Sequence, residues 1–138
     1  MKAYFDPSAL LKRYVHEPGT TSVLKWGAKV DKVVLSSLCC PEVVFALRRL
    51  RSENKLSDEA YDLLKADFAA DLEQAEVEEV GPEVLREAIR CVERTGLKAS
   101  DSIHIATALR SGTDLFITAD IHQAKAAEAM GLKVERVG

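Results

Sequence analysis

Ala99-Ser100-Asp101-Ser102-Ile103-His104-Ile105-Ala106-Thr107-Ala108-Leu109 reads as a helix, and the arrangement of the rest of the chain follows from it. After Asp101 its residues are apolar or small on nearly every side, and a helix apolar all round is normally buried. Yet it opens with a carboxylate on the side that also carries Ile105 and Ala108, one and two turns further on. An ionised carboxylate is costly to bury unless something pairs with it. Asp6, Glu42 and Asp120 occupy similarly awkward positions, and together the four acids predict a site for a divalent cation.

Outward from this helix, the chain reads as alternating strands and helices. Lys2 to Phe5 is a strand ending at Asp6, and Pro7 suits the first position of a helix running through Leu10, Leu11 and Tyr14 towards Glu17, where Pro18-Gly19 stops it. A short helix over 20–29 precedes a strand at 32–36 of the continuous apolar type found in buried parallel sheets. A long helix from Ser37 to Asn54 carries Glu42 near its start, with Arg49 two turns later on the same face. Residues 58–74 form an amphipathic helix, 77–80 a weak edge strand rich in acids, and Pro82 starts another helix that Gly96 ends. Leu115 to Thr118 is a buried strand, Ile121 to Met130 a helix and Leu132 to Val137 a last strand. This alternation predicts an α/β domain with a mainly parallel sheet, and residues 1–138 form one domain.

In open α/β sheets, ligands gather beyond the carboxyl ends of the strands. Asp6 and Asp120 each follow a strand, Glu42 sits in the first turn or so of the helix after the second strand, and Asp101 begins a helix feeding the fourth. Each acid has a plain alternative reading. Asp6 would serve as an N-cap, Glu42 would suit the helix dipole, and Asp120 with Gln123 matches an aspartate variant of the capping box. Four such placements on one edge favour a common purpose. Two carboxylates about 4 Å apart repel by roughly 4 kcal/mol at an effective dielectric near 20, so a cluster recruits cations, splays or protonates. Carboxylates and waters suit Mg2+ or Mn2+, whereas zinc and copper call for His or Cys. His16, His104 and His122 have no zinc spacing, and His104 is expected to be a packing residue. Cys39, Cys40 and Cys91, odd in number and without a Cys-x-x-Cys pair, are expected to be buried apolar residues.

Carboxylates holding such ions are the usual apparatus for phosphodiester hydrolysis by a metal-activated water. No Gly-rich phosphate loop and no Gly-x-Ser-x-Gly elbow is present. With 22 acids against 19 bases and a net charge of -3, contact with nucleic acid requires a local basic patch. Lys98, one turn before Asp101, and Arg49, with Lys12 and Arg13, are the residues placed to touch phosphates. The early acid at position 6 argues against a signal peptide, and no apolar run approaches the roughly 20 residues that span a bilayer, so a cytoplasmic protein without membrane contact is expected.

The segments Tyr4-Phe5-Asp6-Pro7-Ser8-Ala9-Leu10-Leu11-Lys12, Glu42 followed by Ala46-Leu47-Arg48-Arg49, the Asp101-to-Leu109 helix, and Thr118-Ala119-Asp120 with Gly131-Leu132 resemble a PIN domain. Within that superfamily the chain is similar to the VapC-type toxins of prokaryotic toxin–antitoxin pairs. The resemblance covers essentially the whole chain. It implies a three-layer α/β/α fold with a central, mainly parallel sheet of about five strands, a metal-dependent endoribonuclease using Mg2+ or Mn2+, a homodimer and a cognate VapB-like antitoxin that blocks the site. By position it implies Asp6 and Asp101 as principal metal ligands, Glu42 and Asp120 as completing the quartet directly or through water, and Thr118 as holding a water or ligand by its hydroxyl.

Two other readings compete with the nuclease. A non-catalytic PIN-like module would hold RNA or a protein, but such a domain has little reason to accept four mutually repelling acids. A magnesium-dependent phosphatase working through an aspartyl phosphate would show Asp-x-Asp after the first strand, where Ser8 stands instead.

Overall fold

The computed structural model describes residues 1–138. Its strands are β1 (Lys2–Phe5), β2 (Lys32–Ser36), β3 (Glu76–Glu78), β4 (Leu115–Thr118) and β5 (Val134–Arg136). They form one sheet in the order β3-β2-β1-β4-β5, with every pairing parallel. The helices are α1 (Pro7–Leu10), continued by a 3-10 turn over Leu11–Arg13, α2 (Thr20–Lys29), α3 (Cys39–Ser52), α4 (Asp58–Gln74), α5 (Pro82–Thr95), α6 (Ala99–Arg110) and α7 (Ile121–Ala129).

The side-chain period of two in the strands sorts the core into two layers. Ala3, Phe5, Leu35, Leu115 and Ile117 face one side and pack with Leu10, Val23, Val43, Leu47, Tyr61 and Phe68 from α1 to α4. Tyr4, Val34 and Phe116 face the other and pack with Cys91, Ile105, Ala108, Ala126 and Ala127 from α5, α6 and α7. A smaller cluster of Val84, Ala88 and Ala106 joins α5 to α6. This is the expected three-layer α/β/α arrangement. The weak strand lies at the sheet edge, as its acids predicted.

The first helix departs from expectation. It ends as an α-helix at Leu10 and tightens into the 3-10 turn, so it does not reach Glu17. Thr20 explains the early stop, because its hydroxyl donates to the carbonyl of Lys12 at 2.9 Å and draws the chain back upon itself. The long helix also begins at Cys39 rather than Ser37, since the Ser36 hydroxyl accepts from the Leu38 amide at 3.1 Å and holds those residues in a turn. Cys39 and Cys91 are buried and Cys40 is half-buried, all three as free thiols. No helix is long and apolar enough to cross a membrane.

Candidate functional site

The central strands β1 and β4 are neighbours, with Phe5 opposite Ile117, so the residues just beyond them meet at the carboxyl edge. Asp6 comes first. It is 4% exposed, caps α1, and its carboxylate is surrounded by neutral donors. The Ser8 hydroxyl donates to Oδ2 at 2.6 Å and the Ser8 amide at 3.0 Å, while the Gln123 side-chain amide donates to Oδ1 at 2.9 Å.

These donors are themselves aimed by the segment after β4. The Ala119 amide donates to Ser8 Oγ at 3.0 Å, which directs the Ser8 proton to Asp6. The Asp120 amide donates to Thr118 Oγ1 at 3.1 Å, and the Thr118 hydroxyl then donates to Gln123 Oε1 at 2.7 Å. That contact turns the Gln123 amide nitrogen towards Asp6 and, at 3.3 Å, towards the carbonyl of Asp101. Thr118 and Gln123 are fully buried. The network therefore solvates the buried Asp6 carboxyl group in place of water, with neutral donors and no cationic partner.

Asp101 lies in the first turn of α6. Burial pushes its carboxyl pKa up, the negative charge of Asp6 adds to this, and Asp120 contributes in the same sense; Lys98 and His104 oppose the shift. The Lys98 ammonium stands 3.8 Å from Asp101 Oδ2. Asp120 caps α7, its Oδ1 accepting from the His122 amide at 2.8 Å and the Gln123 amide at 3.0 Å. The capping reading was correct for the Asp120 carboxylate. The Gln123 side chain, however, does not fold back on the cap but turns inward to Asp6. Glu42, in the first turn of α3, has its Oε1 2.5 Å from His104 Nε2.

Three site residues escaped the sequence reading. Ser8 was noticed only as not being aspartate, Gln123 only as a capping partner, and His104 only as packing. His104 is fully buried, as a packing residue would be, but both of its nitrogens have partners. The available signal was its place one turn after Asp101 on an otherwise apolar helix.

Asp101 and Asp120 border an open cleft of about 650 Å3 with a basic rim of Arg94, Lys98 and Lys125. Lys98 is thus beside the acids. Lys12 is buried and pairs with Glu17 at 3.2 Å, Arg13 makes two bonds to Asp71 at 2.7 and 3.1 Å, and Arg49 pairs with Glu53 at 3.2 Å. Arg13 also lines an apolar cavity of about 290 Å3 between α2, β2 and α4, on the opposite face of the sheet from α6 and α7.

The donor set is made of carboxylate oxygens, which suits Mg2+ or Mn2+ rather than zinc. No three His, Cys, Asp or Glu side chains approach closely enough to enclose an ion on their own. An ion here would therefore keep several waters, as Mg2+ normally does.

A PIN domain family model matches residues 3–129. The chain belongs to the PIN domain family. No curated protein matches it in sequence. Among solved structures, this PIN domain is similar to FitAcB from Neisseria gonorrhoeae, with 16% identity, a TM-score of 0.76, and coverage of 96% of this chain and 95% of that one. It is similar to VapC20 from Mycobacterium tuberculosis, described as a sarcin-ricin loop cleaving toxin, with 16% identity, a TM-score of 0.71, and coverage of 97% and 98%. It is also similar to PAE2754 from Pyrobaculum aerophilum, with 20% identity, a TM-score of 0.72, and coverage of 97% and 83%. At these identities the likeness is one of fold.

Proposed function

We propose that this PIN domain is a metal-dependent endoribonuclease, the toxin of a VapBC-type toxin–antitoxin pair acting in the cytoplasm. The observation that carries the reading is Asp6, a buried carboxylate with only neutral donors, whose charge adds to burial in raising the pKa of Asp101 across the carboxyl edge of the sheet. A fold gains nothing from that repulsion unless a cation relieves it. Solved structures of similar fold include VapBC from Salmonella typhimurium bound to DNA, which fits a toxin that pairs with an antitoxin.

Asp6 and Asp101 would hold Mg2+ or Mn2+ directly, with Glu42 and Asp120 reaching it through water. When bound, such an ion would supply an activated water and positive charge for phosphodiester hydrolysis. The residues of the chain do the rest. Ser8 and Gln123 fix the two oxygens of Asp6, and Thr118 acts through Gln123. Lys98, with Arg94 and Lys125, lines the cleft and offers positive charge to RNA phosphates. Arg49, Lys12 and Arg13 do not line this cleft and pair with Glu53, Glu17 and Asp71, so their contribution to RNA binding is secondary.

The proposed homodimer would use the outer face of α5. Leu85, Ile89 and Val92 form an exposed apolar stripe there, with Ile89 58% exposed. Arg86 and Glu93 flank it on one side, and a twofold axis near Ile89 would set each against the other's counterpart in two reciprocal ion pairs.

The test is cleavage of a mixed pool of structured and single-stranded RNAs by antitoxin-free protein in Mg2+, in Mn2+ and in chelator. Asp6→Ala and Asp101→Asn are the controls. Metal-dependent cleavage lost in both variants is expected. Full cleavage by Asp101→Asn would overturn the mechanism. Tight, chelator-insensitive RNA binding without turnover would replace it with a binding module.

A further inference from the structure

The His104 imidazole is 0% exposed and lies beside the apolar cluster of α5, α6 and α7, yet it is tied at both ends. Its Nδ1 is 2.5 Å from the Tyr4 hydroxyl and its Nε2 is 2.5 Å from Glu42 Oε1. Tyr4 lies on β1, two residues before Asp6, and its ring stacks on Phe116 of β4 at 5.3 Å with the planes 4° apart. The phenol is thereby anchored between the two strands that build the site.

The chemistry of the partners orders the protons along this line. An ionised carboxylate only accepts, so the nitrogen facing Glu42 must carry the hydrogen. In a neutral imidazole the other nitrogen then accepts, and Tyr4 is the donor that meets it. Every buried side-chain nitrogen and oxygen in the protein has a partner, so the line has no broken link.

We propose that Tyr4 and His104 form a buried positioning relay: the Tyr4 hydroxyl, donating to Nδ1, locks the imidazole of His104 in its orientation with Nε2–H towards Glu42, and that N–H holds the Glu42 carboxylate in place at the carboxyl edge of the sheet. Glu42 is on α3, on the other side of the sheet from α6, and the relay is the side-chain link that couples the two helices at the site. Its bearing on catalysis rests on the reading of Glu42 as a member of the metal-binding set. The relay itself does not.

The experiment uses the full chain with 15N-labelled histidine. In the wild type, NMR should show His104 as the Nε2–H tautomer with Nδ1 accepting a hydrogen bond. Tyr4→Phe, which keeps the stacked ring, should shift the Nδ1 resonance to that of a nitrogen accepting no hydrogen bond, and Glu42→Gln should shift the Nε2 resonance. An Nδ1–H tautomer in the wild type, or a spectrum unchanged in both variants, overturns the relay. Mn2+ binding followed by EPR then reads its consequence. His104→Leu should weaken Mn2+ about 10-fold or more, in the range seen when a group that orients a metal ligand is lost. His104→Gln, whose amide can still donate to Glu42, should bind within about 3-fold of wild type. Equal weakening in both variants, with thermal melts showing both folded, would mean that the ring only fills space and would refute the positioning role. If the wild type bound no Mn2+, the metal-dependent reading would fall, and the NMR result alone would decide the relay.

Discussion

Replacing Gln123 with leucine tests whether Asp6 is solvated by the protein. The two side chains are similar in size, and the site is fully buried, so the substitution removes hydrogen bonds while leaving little cavity. It deletes the 2.9 Å bond to the ionised Asp6, and a hydrogen bond to a charged group is worth about 1.5–3 kcal/mol. It also removes the acceptor 2.7 Å from the Thr118 hydroxyl, and a buried donor left without a partner costs about 1–3 kcal/mol. The hydroxyl can recover part of this by turning to Asp6 Oδ2, 3.4 Å away, and the leucine gains some burial of its own. The net expectation is a loss of about 2–4 kcal/mol in stability, or a fall in Tm of roughly 6–15 °C for a chain of this size. Urea unfolding at pH 7 without metal measures it, and Thr118→Val in combination reports the coupling, since the two residues share one bond. A loss below about 1 kcal/mol for Gln123→Leu, or strict additivity with Thr118→Val, would refute the network as described.

Asp101→Asn should raise Tm in metal-free buffer at pH 7, because the wild-type carboxyl has its pKa raised by burial and by Asp6. A raised acid opposes folding once ionised, so the gain should shrink to nothing as pH falls below the unfolded value of about 3.9, as melts across pH 3–8 would show. Asp71 works with the opposite sign. Burial acts to raise its pKa, but hydrogen bonds from Arg13 and Tyr14 outweigh it and hold it below the ordinary range. Its contribution is present above pH 3.9 or so and is lost as pH falls through the depressed value; Tyr14→Phe should therefore cost about 1 kcal/mol at pH 7 and less in acid, measured by urea unfolding. For the proposed homodimer, Ile89→Glu on α5 should shift sedimentation velocity to a monomer, and Arg86→Glu should weaken dimerisation while Arg86→Glu with Glu93→Arg restores it. Lys98→Glu together with Lys125→Glu should weaken RNA binding and flatten its salt dependence, read by fluorescence anisotropy at several ionic strengths.

Order and type of the elements were legible because they rest on local signals. Period-two and period-3.6 patterns, Pro7 and Pro82 at helix starts, and Gly96 at a helix end act within a few residues. The placement of Asp6, Glu42 and Asp120 was legible for a related reason: each follows a strand, and in a parallel sheet the strand-to-helix junctions fall on one edge, whereas Asp101 follows α5 and its place there depends on how α6 packs.

The tertiary structure decided who holds whom. Gln123 lies 117 residues from Asp6, Ser8 lies 111 from Ala119, and His104 lies 62 from Glu42, so no window of sequence contains both halves of any of these bonds. Gln123 shows the limit best: its backbone amide is capped by Asp120 as the local pattern predicted, while its side chain donates to Asp6 beyond β1. Propensity and capping set the backbone, because those energies are local. The direction of a buried polar side chain is set by whichever partners the packed sheet brings within about 3 Å, and that is a property of the fold.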